Sequence, residues 1–326
     1  MTTMTNDVSR GVRPSRTTSG LMIALVSAAS FGVSGAVGRG LLDAGWSPGA
    51  VTLVRVLLGA ALVVPLGLRA LGGRWHLLRR GAGVVVGYGV LGVAAAQFCF
   101  FAAIGHMQVG PALMIEYTGP AAVVLWLWLR HGERPTRLTL AGAALAGLGL
   151  VLVLGLLSGA EVDPVGALWA LGAMVGLSAY FVISASEDNG LPPLTLAAGG
   201  LVVGGVLLGT LGVLGLLPMA ATTAPATYQG HGVPWWVPLL VLGVFSAAIS
   251  YVSGIEASRR LGSRLASFVG LTEVLAAVVA AWVLLAELPG PGQLVGGALV
   301  VAGVVVVKLG EPRLAAVVDR PEPTPL

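Results

Sequence analysis

The chain of 326 residues is 56% hydrophobic and only 10% charged, with a mean hydropathy of +0.93. Soluble domains carry about 25% charged residues, so a soluble surface could not be covered here, and 49 glycines without a Gly-X-Y period exclude collagen. The single cysteine, Cys99, excludes a disulfide framework and any cysteine-based zinc or iron–sulfur site, which leaves a polytopic membrane protein.

A membrane-crossing helix needs roughly 20 apolar residues. That ruler predicts ten spans, over 20–42, 48–68, 82–104, 107–129, 138–157, 166–186, 193–217, 235–258, 265–286 and 291–309. Connections are short apart from 218–234. The polar ends, 1–18 and 310–326 with Pro321, Pro323 and Pro325, are expected to be mobile. Small residues at Ser27–Ser30 resemble a leader cleavage site but fall inside the first apolar run, so that span is read as a retained helix.

The net charge of +4 does not point to nucleic acid, because the basic residues sit in short clusters between apolar runs. With the N-terminus cytoplasmic, the inner segments hold Arg10, Arg13, Arg16, Arg69, Arg74, Arg79, Arg80, Arg130, Arg134, Arg137, Arg259, Arg260, Arg264, Lys308, Arg313 and Arg320. Arg39 alone falls outside, and Arg55 falls within a span. This positive-inside bias predicts a multi-pass protein of the plasma membrane with both termini cytoplasmic. Trp46, Trp169, Trp235, Trp236 and Trp282 fall near outer helix ends, and Trp75, Trp126 and Trp128 near inner ones, as aromatic belts require.

A shift of 154 positions aligns two long stretches without a gap. Thr118, Glu133, Pro135, Gly142, Gly149 and Val151 meet Thr272, Glu287, Pro289, Gly296, Gly303 and Val305. Five helices per half is an odd number, so the second half enters the membrane upside down. The expected fold is an all-α integral membrane protein of ten transmembrane helices, arranged as two inverted five-helix repeats. Its divisions are an N-terminal segment 1–18, repeats at 19–157 and 166–309, a linker at 158–165 and a C-terminal segment 310–326. Inverted repeats are the usual architecture of secondary transporters, since pseudo-symmetric halves can exchange conformations to alternate access.

The five-plus-five arrangement resembles the EamA-type permeases of the drug/metabolite transporter superfamily. So do Ile115-Glu-Tyr-Thr-Gly-Pro120 running to Glu133, and Leu271-Thr-Glu-Val274 running to Glu287. The first of these motifs is similar to the branch that exports threonine and homoserine. The second half carries Val274 where such proteins usually have proline. The resemblance covers about residues 20–309 and implies a secondary carrier exporting small metabolites such as amino acids; multidrug or other metabolite carriage by the same fold is the alternative.

Ionisable residues in a span cost roughly 2.5–3.5 kcal/mol on insertion scales, so they are candidates for function. Glu116 and Glu273 fall near the midplane, and Arg55 in the outer third of its span. Glu256 falls near an inner helix end, three and four residues before Arg259 and Arg260. A zwitterionic solute suits two carboxylates and one guanidinium. A proton is the candidate coupling ion, exchanged at one glutamate. The competing reading is structural: Arg55 or a hydroxyl simply neutralises Glu116. Pro120 removes the donor for the carbonyl of Glu116, four residues earlier. Gln97 and Tyr251 stand opposite each other across the 154 shift, and Ser30 and Ser178 take similar places in spans one and six. Tyr117, Thr118 and Tyr180 complete the candidate set.

An intramembrane enzyme and a receptor-like membrane protein are the rival classes. Gly32-Val-Ser-Gly35 matches the short pattern around a rhomboid-protease serine, yet His76, His106, His131 and His231 all fall at helix ends or in loops. Neither a His-Glu-x-x-His metal motif nor a phosphate-binding loop is present, so no cofactor is expected and a gradient must drive transport. For a receptor the outer loops offer little to bind a partner. The lipid bilayer and a small solute are the expected partners, nucleic acid is not, and oligomeric state is left open.

Overall fold

The computed structural model of the chain describes residues 16–107, 109–153, 163–188, 190–286 and 288–310. In chain order, helices run over Arg16–Asp43 (α1), Pro48–Leu71 (α2), Trp75–Arg80 (α3) and Ala82–His106 (α4). Val109–Glu116 (α5), Gly119–His131 (α6), Arg137–Val153 (α7), Pro164–Ala185 (α8) and Pro193–Val213 (α9) follow. A hairpin, Ala226–Tyr228 (β1) paired with His231–Val233 (β2), precedes Trp236–Gly270 (α10), Glu273–Leu285 (α11) and Pro291–Gly310 (α12).

Among the described residues eight helical stretches are long and apolar enough to cross a membrane, and Arg137–Val153 and Glu273–Leu284 are shorter apolar helices. Large apolar side chains such as Leu129, Leu168, Val206 and Leu309 point outward, a surface that water would not tolerate and a bilayer requires. The chain is a multi-pass membrane protein.

Local chemistry sets the helix ends. Ser47 caps α2 by accepting the Ala50 N–H at 3.3 Å, with Pro48 next, and Asp163 caps α8 by accepting the Gly166 N–H at 2.7 Å, with Pro164 next. Gly262, at φ 78°, interrupts α10, a conformation open to glycine and strained for other residues. Most sequence boundaries hold to within a few residues, with α1 starting at Arg16, ahead of residue 20; the exception is α10, which runs to Gly270 across the predicted gap between 235–258 and 265–286, with only the Gly262 kink inside it. Residues 1–15, 311–326, the 154–162 junction and Glu287 lie outside the described residues.

Small residues let the helices close on one another. Between α7 and α12, a Cβ on Gly149 would stand 2.6 Å from the Gly296 carbonyl, and one on Gly142 would stand 2.7 Å from that of Gly303. Backbone meets backbone there, the contact that replaces hydrophobic driving force inside lipid. Gly200 and Gly204 of α9 likewise receive Tyr88 and Val93 of α4. Gly83 and Gly292, which begin similar glycine spacings, face open space, so those two spacings are not complete packing faces.

The helix ends carrying Arg16, Arg74, Arg259, Arg260 and Arg264 gather at one end of the bundle, called the basic end below. Arg16 pairs with Glu187 at 3.0 Å, and Arg264 with Glu133 at 2.9 Å. Glu256 pairs with Arg260 within α10, one of the two partners its spacing offered. The long 218–234 connection lies at the opposite end.

Candidate functional site

Two interrupted helical runs define the centre. The sequence predicts continuous spans over 107–129 and 265–286, but the chain breaks at Tyr117–Thr118, between α5 and α6, and at Leu271–Thr272, between α10 and α11. Pro120 accounts for the first break, having no N–H to offer the Glu116 carbonyl. At the second, the Val274 N–H turns instead to the Leu271 carbonyl at 3.2 Å. The two threonines behave alike: Thr118 donates its hydroxyl to Ile115 O, and Thr272 donates to Val269 O, each at 2.7 Å. Both helices therefore bend at the same repeat position although only one has the proline.

Helices α4 and α10 each contain a π-helical segment, Tyr88–Ala95 and Leu242–Ile249. Such wide turns shift the hydrogen-bond register and are frequent at functional sites. Arg55, fully buried in α2, uses the second of them. Its guanidinium donates to the Gln97 side chain and to the Ser246 carbonyl. It also lies 6.0 Å from the ring centre of Phe31 and 5.9 Å from that of Phe101, within reach of both aromatic faces. Its Nε has no hydrogen-bond partner among the described residues. Tyr251 donates to the Gly92 carbonyl at 3.1 Å and lies beside Gln97.

Glu116 ends α5 and is buried; Glu273 opens α11, where the positive end of a helix favours a carboxylate. Both are in electrostatic reach of Arg55, yet neither forms an ion pair with it among the described residues. The Tyr117 hydroxyl lies against the Glu273 carboxyl. Simple neutralisation of Glu116 by a touching Arg55 is thus absent. One cation and two carboxylates face a common centre with hydrogen-bonding capacity left over.

Glu273 also lines a cleft running between α1, α8 and α10, with Ser27, Phe31, Tyr180 and Ser258 on its walls. Its volume is about 30 Å³, room for little more than water. Tyr180 packs edge-on against Phe181, Phe31 and Tyr251, with ring centres 4.9, 6.1 and 5.8 Å away. Its hydroxyl occupies the place a Gly254 Cβ would take.

The end opposite the basic one is covered by the β-hairpin. Tyr228 donates to Val37 O at 2.6 Å, and its ring fills the space left by Gly40. Gln229, at the hairpin tip, donates to Val283 O at 2.6 Å. Burial, with Asp43 nearby, pushes the Tyr228 hydroxyl above the usual phenol range, so it remains a donor at physiological pH.

Of the residues singled out in the sequence, Arg55, Gln97, Glu116, Tyr117, Tyr180, Tyr251 and Glu273 converge. Thr118 is exposed and Pro120 buried, and both shape the break through the backbone. Ser178 bonds Met174 O at 2.8 Å and Gly119 O at 3.3 Å, a link between helices. Ser30 is half-buried, with no hydroxyl hydrogen bond found among the described residues. Phe31, Phe101, Ser27, Tyr88 and the Ser246 carbonyl were not singled out. Aromatic rings and backbone carbonyls carry no signal in a search for ionisable residues; the repeat offset pairs Gly92 with Ser246 and could have found that pair.

Residues 18–155 and 164–309 each match the EamA-like transporter family. The threonine/homoserine exporter RhtA of Escherichia coli (strain K12) is 27% identical over 288 residues, covering 86% of this chain and 89% of that protein. A probable terminal-alkyne amino-acid exporter of Streptantibioticus cattleyicolor is 32% identical over 293 residues, with 85% and 89% covered. A solved crystal structure superposes with a TM-score of 0.70 at 23% identity, covering 91% of this chain and 99% of its own; likeness at that identity concerns the fold.

Proposed function

The chain belongs to the EamA-like transporter family, and from that premise we propose that it exports amino acids or closely related amino compounds by alternating access. The observation that carries the substrate class is the convergence of Arg55 with Glu116 and Glu273 inside the membrane. A guanidinium matches a carboxylate and a carboxylate matches an ammonium, so a zwitterion can satisfy both. RhtA and the alkyne amino-acid exporter bear names that agree with this substrate class.

The proposed architecture is ten crossings in two inverted five-helix repeats, 19–157 and 166–309. Two family matches of similar length support it. So do the helix breaks and π segments recurring 154 positions apart. The basic end is cytoplasmic and the membrane is the plasma membrane, in keeping with the distribution of arginine. The hairpin covers the outer end, and the ion pairs of Arg16 and Arg264 lie at the inner one.

Proton coupling follows from a charge count. Two ionised carboxylates and one guanidinium leave the centre one charge negative, and a single proton brings it to neutrality. An incoming ammonium group competes with that proton for the same carboxylate. Glu273, at the cleft and beside Tyr117, is the exchanging group.

An export screen in cells overproducing the chain tests the proposal. Resistance to toxic amino-acid analogues and amino-acid release should rise with the wild-type chain and not with Glu116→Gln. Equal resistance with both would set aside the central site.

A further inference from the structure

We propose that a second cavity, at the basic end, is the loading site where the carboxylate of the solute is first held by Arg259; this rests on the amino-acid export reading above. The cavity measures about 470 Å³ and is lined by Arg16, Arg74, Arg259 and Arg260 with Glu187 and Glu256. Its two carboxylates are already taken, Glu187 by Arg16 and Glu256 by Arg260. Arg74 turns its nitrogens to the Ala70 and Leu71 carbonyls, at 3.1 and 3.0 Å. Arg259 gives Nη1 to the Leu191 carbonyl, while its Nε and Nη2 are buried with no hydrogen-bond partner among the described residues.

Two cations on this wall therefore form no ion pair; Arg259 is in electrostatic reach of Glu187 and Glu256 without touching either, and its Nε/Nη2 edge makes no hydrogen bond among the described residues. That edge is the fork that takes both oxygens of a carboxylate side-on. Leaving such donors buried and unpaired is unfavourable, and an arriving carboxylate relieves it. Polar side chains lie between this cavity and the centre. The Tyr88 hydroxyl is in electrostatic reach of Arg259 and lies beside Ser184. The Tyr88 ring centre is 5.8 Å from that of Tyr180, and Tyr180 and Ser258 line the central cleft with Glu273. The hydroxyls of Tyr88, Ser184, Tyr180 and Ser258 have no well-formed hydrogen bond among the described residues. A row of buried hydroxyls thus lies between Arg259 and the central carboxylate.

The test measures concentration dependence of transport in inside-out and right-side-out vesicles holding the full chain, for an amino acid and for its carboxamide. Arg259→Gln should raise KM for the amino acid about tenfold from the basic end, the size of one lost charge-assisted contact. KM from the opposite end should hold, and the preference for the amino acid over the carboxamide should shrink on the basic side only. Arg259→Lys should restore part of the loss. Arg74→Gln, further from any buried donor, should raise the same KM about twofold by Coulomb attraction alone. Unchanged KM at both ends, or an equal rise at both ends for both solutes, overturns the assignment. So does an unchanged KM with lost dependence on anionic phospholipid, which makes a lipid headgroup the occupant. Failure of the unmodified chain to move either solute overturns the export reading itself.

Discussion

The carbonyl oxygens of Gly92 and Ser246, 154 positions apart, are each bonded by a side chain from the other half of the chain: Tyr251 donates to Gly92, and Arg55 to Ser246. Each carbonyl lies in a π-helical segment, so the same local widening occurs twice and is used twice. The halves are joined at their centre by this exchange, in which a tyrosine on one side corresponds to an arginine on the other.

Arg55→Lys should lower transport at least about tenfold while the protein stays monodisperse. An ammonium group is a point charge without the planar fork that reaches Gln97 and Ser246 together. Uptake rates in proteoliposomes, read beside a size-exclusion profile, check this.

Tyr251→Phe should lower thermal stability by about 1–3 kcal/mol, because it leaves the buried Gly92 carbonyl without its donor. A thermal melt in detergent measures it. An unchanged midpoint would mean that water replaces the hydroxyl at no cost.

Gly254→Ala should be destabilising by about 1–3 kcal/mol, since its methyl would coincide with the Tyr180 hydroxyl. Tyr180→Phe should rescue much of that loss in the double variant, although alone it gains nothing. Residues in contact are expected to couple in this way, and full additivity of the two effects would contradict the contact.

Gly149→Ala should be destabilising by a similar amount, about 1–3 kcal/mol, because α7 and α12 would have to part to admit the methyl. Gly83→Ala should be neutral within about 0.5 kcal/mol, as nothing lies within 4 Å of the added carbon. Melting both variants side by side separates packing from composition.

Much of this was legible in the sequence because lipid simplifies the rules. Apolar length marked most of the helices, although α10 runs across two of the expected spans, and the placement of Arg55, Glu116 and Glu273 in apolar runs marked the centre. What stayed hidden depends on backbone detail. Nothing in Leu271-Thr-Glu-Val274 announces a break, because no proline is present and the distortion comes from carbonyl bonding at Val269 and Leu271. The glycine spacing at Gly83 looked like that at Gly200, and only the neighbouring helix distinguishes them. The hairpin at Ala226–Val233 was read as a plain connection because three-residue strands are too short to show alternation.

The most direct measurement is counterflow of labelled L-threonine and L-homoserine into proteoliposomes loaded with unlabelled amino acid, across external pH, with the wild-type chain, Glu273→Gln and Arg55→Gln. Saturable counterflow by the wild type that responds to pH, a weaker and pH-independent flux with Glu273→Gln, and no flux with Arg55→Gln are predicted. Equal, pH-dependent counterflow by all three proteins would contradict a transport site built on these residues.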